Sequence, residues 1–246
     1  MNLYILVEDG KSGHKLIDHW MGQLLPSLTR VSSVGDVIDH HYVIFSGLGY
    51  PRILGTDEST PQKNVLGQTI QTINQSQKFD YLLIFLDGDD EGVELRKTIT
   101  TNKIKSYSQA LCCPFQIFVQ NKCVETWLLG NREFFPMEYS KNFLPFVQHY
   151  NVSMQDPELM KMDHRQIATT NALYHERYLC QMMQEMGRHY TKSRPDPIMY
   201  SPEFIAGLQK RINETDHLNS LKEFFCFIET LKKEENTERI FSLSNE

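Results

Sequence analysis

The sequence lacks the features that mark membrane, secreted and zinc-binding proteins. No stretch approaches the roughly 20 consecutive apolar residues of a membrane span. The chain enters a strand-like apolar segment near its start, without the pattern of a signal peptide. The five cysteines include an odd one and form no CxxC pair, which is typical of free thiols in a reducing compartment. We therefore expect a cytoplasmic protein with no membrane contact and no zinc site.

Positive charge is also scarce. The 25 lysines and arginines are outnumbered by 31 aspartates and glutamates, which gives a net charge of −6. This excludes a basic field over the whole protein, so any contact with nucleic acid must use a local patch. A Walker phosphate-binding loop is excluded as well, because Ile5 stands where that motif requires a glycine ahead of Gly10-Lys11-Ser12.

The hydrophobic pattern predicts a parallel sheet. At 246 residues, the chain is long enough for one large α/β domain, or for a core of about 130 residues with a smaller helical unit. Short apolar runs predict buried strands at residues 3–7, 42–45, 81–86 and 115–119. Helical spacing between them predicts helices over residues 13–25, 65–76 and 93–111, the last with a potential break at 100–102. This alternation is typical of an α/β fold with helices on both faces of the sheet.

The remaining segments are predicted to be loops and helices. Residues 47–64 are rich in turn formers and are expected to form a loop. Residues 131–246 contain no convincing strand, and their pattern predicts helices over 166–186, 202–211 and 218–233. The aromatic cluster of the last helix, at residues 224–227, belongs either to the core or to a partner interface. We thus expect an α/β domain over 1–130 and a mostly helical extension or subdomain over 131–246.

Acidic side chains follow two of the predicted strands. Glu8 follows the first, and Asp87 and Asp89 follow the third, two positions apart, so both carboxylates can reach one ion. Because the carboxyl ends of parallel strands meet at one edge of a sheet, we expect these acids to converge. Three hard oxygen ligands with open positions describe a Mg²⁺ or Mn²⁺ site that polarises a phosphoryl oxygen or activates water.

Each of these acids has a simpler alternative. Asp-Gly turns with solvated carboxylates are common on protein surfaces, although the ordered combination with Glu8 favours a functional site. Glu125 lies near the start of a short helix predicted within residues 120–130. It is equally well explained as a further ligand or as an acid favoured by the helix dipole. Asp90 and Glu91 are expected to begin the helix that follows them.

The order of these motifs resembles the Toprim domain of topoisomerases, DnaG-type primases, OLD-family nucleases and stand-alone nuclease effectors of bacterial phage defence. The matching segments are Leu-Tyr-Ile-Leu-Val-Glu8-Asp9-Gly10 and Leu-Ile-Phe-Leu-Asp87-Gly88-Asp89. Residues 124–130 also resemble the Glu-x-Trp-Leu-Leu segment of short Toprim-related proteins, whose genes often accompany an ATPase partner. The resemblance covers residues 1–130 and extends to the segment from Tyr190 to Leu231. Asp9 departs from the pattern, since many Toprim domains have glycine directly after the glutamate.

The resemblance implies metal-dependent phosphodiester chemistry on a Toprim-like sheet. In that case Glu8 is a metal ligand or the general base, and Asp87 and Asp89 are metal ligands. Glu125 is then a fourth acidic ligand or a group that supports the others.

Local positive charge is densest in residues 189–195, His-Tyr-Thr-Lys-Ser-Arg-Pro. Lys192 and Arg194 in this segment, together with Lys210 and Arg211, are candidates for holding a phosphate backbone without reading bases. A solvated loop between helices is the alternative.

Three further residues are candidates for the same site. Lys11 lies close to Glu8 in sequence and is a candidate phosphate contact, although a solvated lysine is the simpler explanation. His175 and Glu176, on a predicted helix, are candidates for a base and a ligand.

These observations lead to one leading hypothesis and one alternative. The first is a Mg²⁺- or Mn²⁺-dependent nuclease that cuts DNA or RNA, as an effector of phage defence. The alternative is a non-catalytic module that binds metal or phosphate, or a subunit that works with an ATPase partner. An oligomer is compatible with both.

Overall fold

A five-stranded parallel sheet forms the centre of the protein. The computed structural model describes residues 1–55, 64–165 and 168–243, with side chains as far as residue 237. The strands are β1 (Leu3–Val7), β2 (Thr29–Arg30), β3 (His41–Ser46), β4 (Tyr81–Asp87) and β5 (Phe115–Gln120). They lie in the order β2-β3-β1-β4-β5, and every neighbouring pair is parallel.

Eight α-helices surround or follow this sheet within the described ranges. They are α1 (Ser12–Leu24), α2 (Val65–Ser76), α3 (Val93–Lys105), α4 (Val124–Leu128), α5 (Leu144–His149), α6 (Asn171–Glu185), α7 (Pro202–Glu214) and α8 (Asn219–Leu243). The predicted fold class is therefore confirmed: it is α/β, with a parallel sheet flanked by helices and a C-terminal helical segment, consistent with a Toprim-like fold. None of the described helices is long and apolar enough to cross a membrane.

The structure differs from the sequence-based elements at β2 and α3, and it also has an unpredicted helix, α5, and a longer last helix, α8, than predicted. Strand β2 was not predicted, because its two residues are exposed and give no apolar signal. Helix α3 has no break at residues 100–102, since Thr100 lies on its buried face between Arg96 and Ile104. The same helix ends at Lys105, six residues earlier than predicted. Residues 56–63 of the predicted loop and residues 166–167 of the predicted helix lie outside the described ranges.

Side chains alternate between the two faces of the sheet. On one face, Leu6, Ile84 and Val119 belong to an apolar cluster with α2 and the end of α3. On the other face, Ile5 and Phe85 belong to a second cluster that contains α1 and the helices after β5. Every strand except β2 is thus covered on both sides, which explains why the strands read as continuous apolar runs.

The C-terminal helices share the second cluster with the sheet. Trp127 of α4 lies between Trp20 of α1 and Phe224 of α8, with ring centroids 6.5 and 6.1 Å away. Phe224 is fully buried and Phe225 is 6% exposed, so the core interpretation of this aromatic cluster is confirmed. The residues after position 130 therefore do not form a core of their own, but extend the one that covers the sheet.

Arg211 is a structural residue, and its predicted role in holding phosphate is wrong. It is 1% exposed, and its Nη1 donates to the carbonyl oxygens of Gly130 and Val152 at 2.9 and 2.8 Å. Nη2 donates to Gln155 O at 2.7 Å and to His217 Nδ1 at 3.0 Å. Burial lowers the pKa of Arg211 to about 10. The guanidinium thus connects α7 to the segments around residues 130 and 152–155.

We expect Arg211→Ala to lower the free energy of unfolding by about 3 kcal/mol or more, because each buried acceptor left without a donor costs about 1–3 kcal/mol. Urea unfolding followed by circular dichroism measures this. The matched control is Lys210→Ala, one position away, whose exposed ammonium pairs with Glu133 at the surface. We expect no measurable shift in the control. Equal urea midpoints for the two variants would contradict the structural role of Arg211.

Candidate functional site

The candidate site lies at the carboxyl edge of β1, β4 and β5. Strand β4 runs directly into a tight turn at residues 87–89, and this turn packs on the end of β5. The amide of Gly88 donates to Gln120 O at 2.8 Å, and the amide of Asp89 donates to Lys122 O at 2.8 Å. A Cβ atom at position 88 would lie 2.9 Å from Gln120 O, so only glycine fits there. Asp89 has a φ of 44°, in the left-handed region that aspartate tolerates better than most residues.

Glu8 joins β1 to this turn. It is 7% exposed, its Oε2 accepts from the amide of Asp87 at 3.2 Å, and its Oε1 accepts from the amide of Tyr50 at 3.0 Å. Burial raises the pKa of Glu8, and this effect outweighs the opposing charge of Arg96. The structure thus places Glu8 next to Asp87, with both of its oxygens held by backbone amides.

Asp87 and Glu125 each present a buried carboxylate oxygen that has no hydrogen-bond partner among the described residues. These atoms are Oδ1 of Asp87 and Oε2 of Glu125. Burial raises the pKa of Asp87 well above its usual value, and the charges of Glu8, Glu125 and Asp89 raise it further. Glu125 is fully buried, and its other oxygen, Oε1, accepts from the hydroxyl of Tyr190 at 2.6 Å. Unpaired buried oxygens are costly, so these two atoms stand out among the carboxylates at this edge of the sheet.

Asp89 is turned towards Arg96, a residue that the sequence analysis did not identify. Arg96 Nη2 donates to Asp89 Oδ2 at 3.0 Å, and its Nε lies 3.1 Å from Glu91 Oε2. The guanidinium carbon also lies 3.5 Å from the centroid of the Tyr50 ring. Burial raises the pKa of Asp89 despite this neighbouring cation. The only sequence signal for Arg96 is its spacing of four and eight residues from Thr100 and Ile104 on the buried face of α3.

Lys192 is the cation of the 189–195 segment that reaches the acids. Its Nζ lies 3.9 Å from Glu125 Oε1 and 3.7 Å from Glu176 Oε2. Burial acts to lower the pKa of Lys192, but Glu125 and the other nearby acids outweigh it and hold the pKa above its usual value. Glu176, which the sequence analysis suggested as a ligand, is thereby placed at the margin of the site.

Two further predicted phosphate contacts, Lys11 and Arg194, lie on the surface. Both are exposed, and Arg194 lines an open groove of about 480 Å³ together with His189 and Ser193. The described contact of Lys11 with the acidic segment is through its backbone amide, which donates to Asp9 Oδ1 at 2.9 Å. Neither side chain is brought into the acidic cluster as Lys192 is.

Asp9, which interrupts the Toprim-like pattern, caps helix α1. Its Oδ2 accepts from the amide of Gly13 at 2.8 Å and from the hydroxyl of Ser12 at 2.6 Å. Burial acts to raise the pKa of Asp9, but these hydrogen bonds outweigh it and lower the pKa. Asp9 therefore caps the start of α1, and its carboxylate is occupied by the helix.

His175 is excluded as a base or ligand. It is fully buried, its Nε2 donates to Met160 O at 3.0 Å, and its Nδ1 accepts from the hydroxyl of Thr126 at 2.7 Å. Burial lowers the pKa of His175 to about 4. Both ring nitrogens are occupied, so this histidine connects α4 to α6 and has no role at the acids.

The carboxylate oxygens of the site are of the type that binds a hard divalent cation, but they are not gathered around one point. No three His, Cys, Asp or Glu side chains in the described ranges are arranged to hold an ion. The nearest donors are carboxylate oxygens, the ligand type that Mg²⁺ and Mn²⁺ prefer. Asp87 and Glu125 have free oxygens, whereas Glu8 would have to release the amides of Tyr50 and Asp87.

We expect Asp87→Asn to stabilise the metal-free protein at neutral pH. A carboxyl whose pKa is raised on folding binds its proton more tightly in the folded state, so its ionisation removes stability as pH rises above its unfolded value of about 3.8. In EDTA at pH 7 the variant should be more stable by about 1–2 kcal/mol. The difference should shrink towards pH 4, because the Asp87 carboxyl is then protonated in the folded protein and close to its own pKa in the unfolded one.

Denaturant unfolding of both proteins between pH 4 and pH 8 measures this difference. The control is Asp90→Asn, which removes the same charge from an exposed position directly after this turn. Wild type and Asp87→Asn with the same stability at pH 7 would show that the Asp87 carboxylate carries no burial cost.

Comparison with protein-family models, curated proteins and solved structures returns no match to this chain.

Proposed function

We propose that this chain is a Mg²⁺- or Mn²⁺-dependent nuclease that hydrolyses phosphodiester bonds of DNA or RNA. The observation that carries the proposal is the pair of buried, unpartnered carboxylate oxygens on Asp87 and Glu125, beside the ammonium of Lys192. A site with unpaired acceptors and a nearby cation offers ligands for a metal and a contact for a phosphate.

Asp87 and Glu125 are the residues proposed to hold the metal, with Glu8 or Asp89 joining them. When bound, a divalent cation at such a site polarises a phosphoryl oxygen or lowers the pKa of a water molecule. Glu8 is the candidate general base, because burial raises its pKa towards the range in which a carboxylate accepts a proton effectively. Arg96 engages Oδ2 of Asp89, so Asp89 would contribute through its other oxygen or by loosening this ion pair.

Phosphate contacts are proposed for the cations that border the acids. Lys192 borders Glu125, and exposed Lys11 and Arg194 are candidates for the flanking backbone. With a net charge of −6, the rest of the surface contributes little attraction for nucleic acid. A role as an effector of bacterial phage defence is part of this proposal, and it rests on the Toprim resemblance of the motifs.

The second candidate is a module that binds a metal or phosphate without turnover, or a subunit that needs an ATPase partner. One observation favours it. The acids of the described residues do not form a group ready to hold an ion, and two oxygens of Glu8 are engaged by amides. A partner that moves the segment around Tyr50 would be one way to release them.

The test is cleavage of supercoiled plasmid DNA and of total tRNA by the purified chain. With Mg²⁺ or Mn²⁺, we expect the wild type to cut at least one of them and EDTA to stop the reaction. Asp87→Asn and Glu125→Gln should each lower the rate by at least about 100-fold, since each removes a direct ligand charge. Asp90→Asn, at the exposed position directly after the turn, should cut at the wild-type rate.

Two results would overturn the nuclease proposal. One is full cleavage by Asp87→Asn, and the other is cleavage that persists in EDTA. Mn²⁺ binding without cleavage by the wild type would favour the second candidate instead.

A further inference from the structure

Residues 190–194 form a short turn that is fixed at both ends. The backbones of Thr191 and Arg194 pair, with N–O distances of 3.3 and 2.9 Å. Lys15 of α1 donates through its Nζ to Ser193 O at 2.6 Å, which fastens the tip of the turn. Between these anchors, the side chains of Tyr190 and Lys192 both reach Glu125. The C-terminal part of the chain thus supplies two groups to the acidic edge of the sheet.

Tyr190 determines which oxygen of Glu125 is left free. The phenol is 4% exposed and donates to Oε1 at 2.6 Å, so Oε2 is the oxygen that has no partner among the described residues. Burial raises the pKa of Tyr190, and the charge of Glu125 raises it further, so the phenol remains a donor at neutral pH. A donor at one oxygen fixes the orientation of the whole carboxylate.

Lys192 is held by charge and not by hydrogen bonds. Its distances of 3.9 and 3.7 Å to Glu125 and Glu176 exceed the 2.7–3.2 Å range of N–H···O hydrogen bonds. The Lys192 side chain is 35% exposed, so water can hydrate its ammonium when it moves away from the acids. The same positive charge also acts on Asp9, Asp87 and Asp89. Lys192 therefore places a positive charge beside the carboxylates of the site.

We infer that Lys192 is the tethered counterion of the acidic site and that Tyr190 is the residue that positions Glu125. In the metal-free protein Lys192 neutralises Glu125 and Glu176. A divalent cation replaces it there, and the released ammonium is free to bind a phosphate oxygen of the substrate. This inference rests on the proposed function, because the same acids hold the metal in both.

The two roles of Lys192 have opposite consequences. Removing its charge eliminates the competitor of the metal, so metal affinity rises. It also eliminates a phosphate contact, so cleavage falls. A lysine that only supported the fold would not move these two quantities in opposite directions.

The experiment is titration of the full-length protein with Mn²⁺, followed by calorimetry and by electron paramagnetic resonance. We expect Lys192→Met to bind Mn²⁺ about threefold to tenfold more tightly than the wild type, the range expected for removing one partly exposed competing charge. Lys192→Arg keeps the charge and should bind as the wild type does. Lys141→Met removes an exposed lysine elsewhere and should also leave the affinity unchanged.

Tyr190→Phe tests the positioning role. The variant keeps the ring and loses only the hydroxyl, so we expect an unchanged circular dichroism spectrum and Mn²⁺ binding that is about tenfold weaker, as found when a group that orients a ligand is removed. Wild-type affinity in this variant would overturn the role of Tyr190.

The outcomes separate this inference from the proposed function. Absence of Mn²⁺ binding in the wild type, in Lys192→Met and in Lys192→Arg would overturn both. Mn²⁺ binding with the same affinity in the wild type and Lys192→Met would overturn the counterion role alone. Tighter Mn²⁺ binding by Lys192→Met, together with slower cleavage, is the expected result.

Discussion

Buried negative charge at the carboxyl edge of the sheet is the constraint on which the arrangement of this site depends. Carboxylates lose their hydration when they are buried, and each one raises the pKa of its neighbours. The raised pKa values of Glu8, Asp87 and Asp89 all have burial as their largest cause. The chain balances this charge in two ways, with backbone amides at Glu8 and with the cations Arg96 and Lys192 on either side.

The two cations come from different parts of the fold. Arg96 comes from α3, which begins directly after the acidic turn, and it lies against the ring of Tyr50. Lys192 comes from the segment after α6, more than a hundred positions beyond Asp87. It reaches the acids because the C-terminal helices pack on the sheet through a shared apolar cluster. The packing around Trp127 and the hydrogen bonds by which Arg211 holds α7 therefore help to bring Lys192 to the site.

The stability of the protein and the chemistry proposed for it place opposite demands on these acids. A fold selected only for stability would pair Asp87 Oδ1 and Glu125 Oε2 or replace them with apolar groups. Functional sites commonly keep unsatisfied polar groups and strained backbone, because ligands bind to the unsatisfied groups. The left-handed backbone of Asp89 and the close approach of Gly88 to Gln120 belong to the same corner. Elsewhere, Asp9 and His175 have their polar atoms satisfied, which is typical of structural residues.

The sequence by itself determined the parallel α/β sheet and the placement of Glu8, Asp87 and Asp89 at one edge of it. Both follow from local patterns, since a buried strand reads as an apolar run and its end is marked by the first polar residues. Only the tertiary structure decided which side chains meet these acids. Glu125 and Tyr190 are 65 positions apart, and their hydrogen bond leaves no periodic signal. For the same reason, the sequence suggested a phosphate contact at Arg211 and a catalytic base at His175. The burial and the hydrogen-bond partners of these residues are properties of the packed chain.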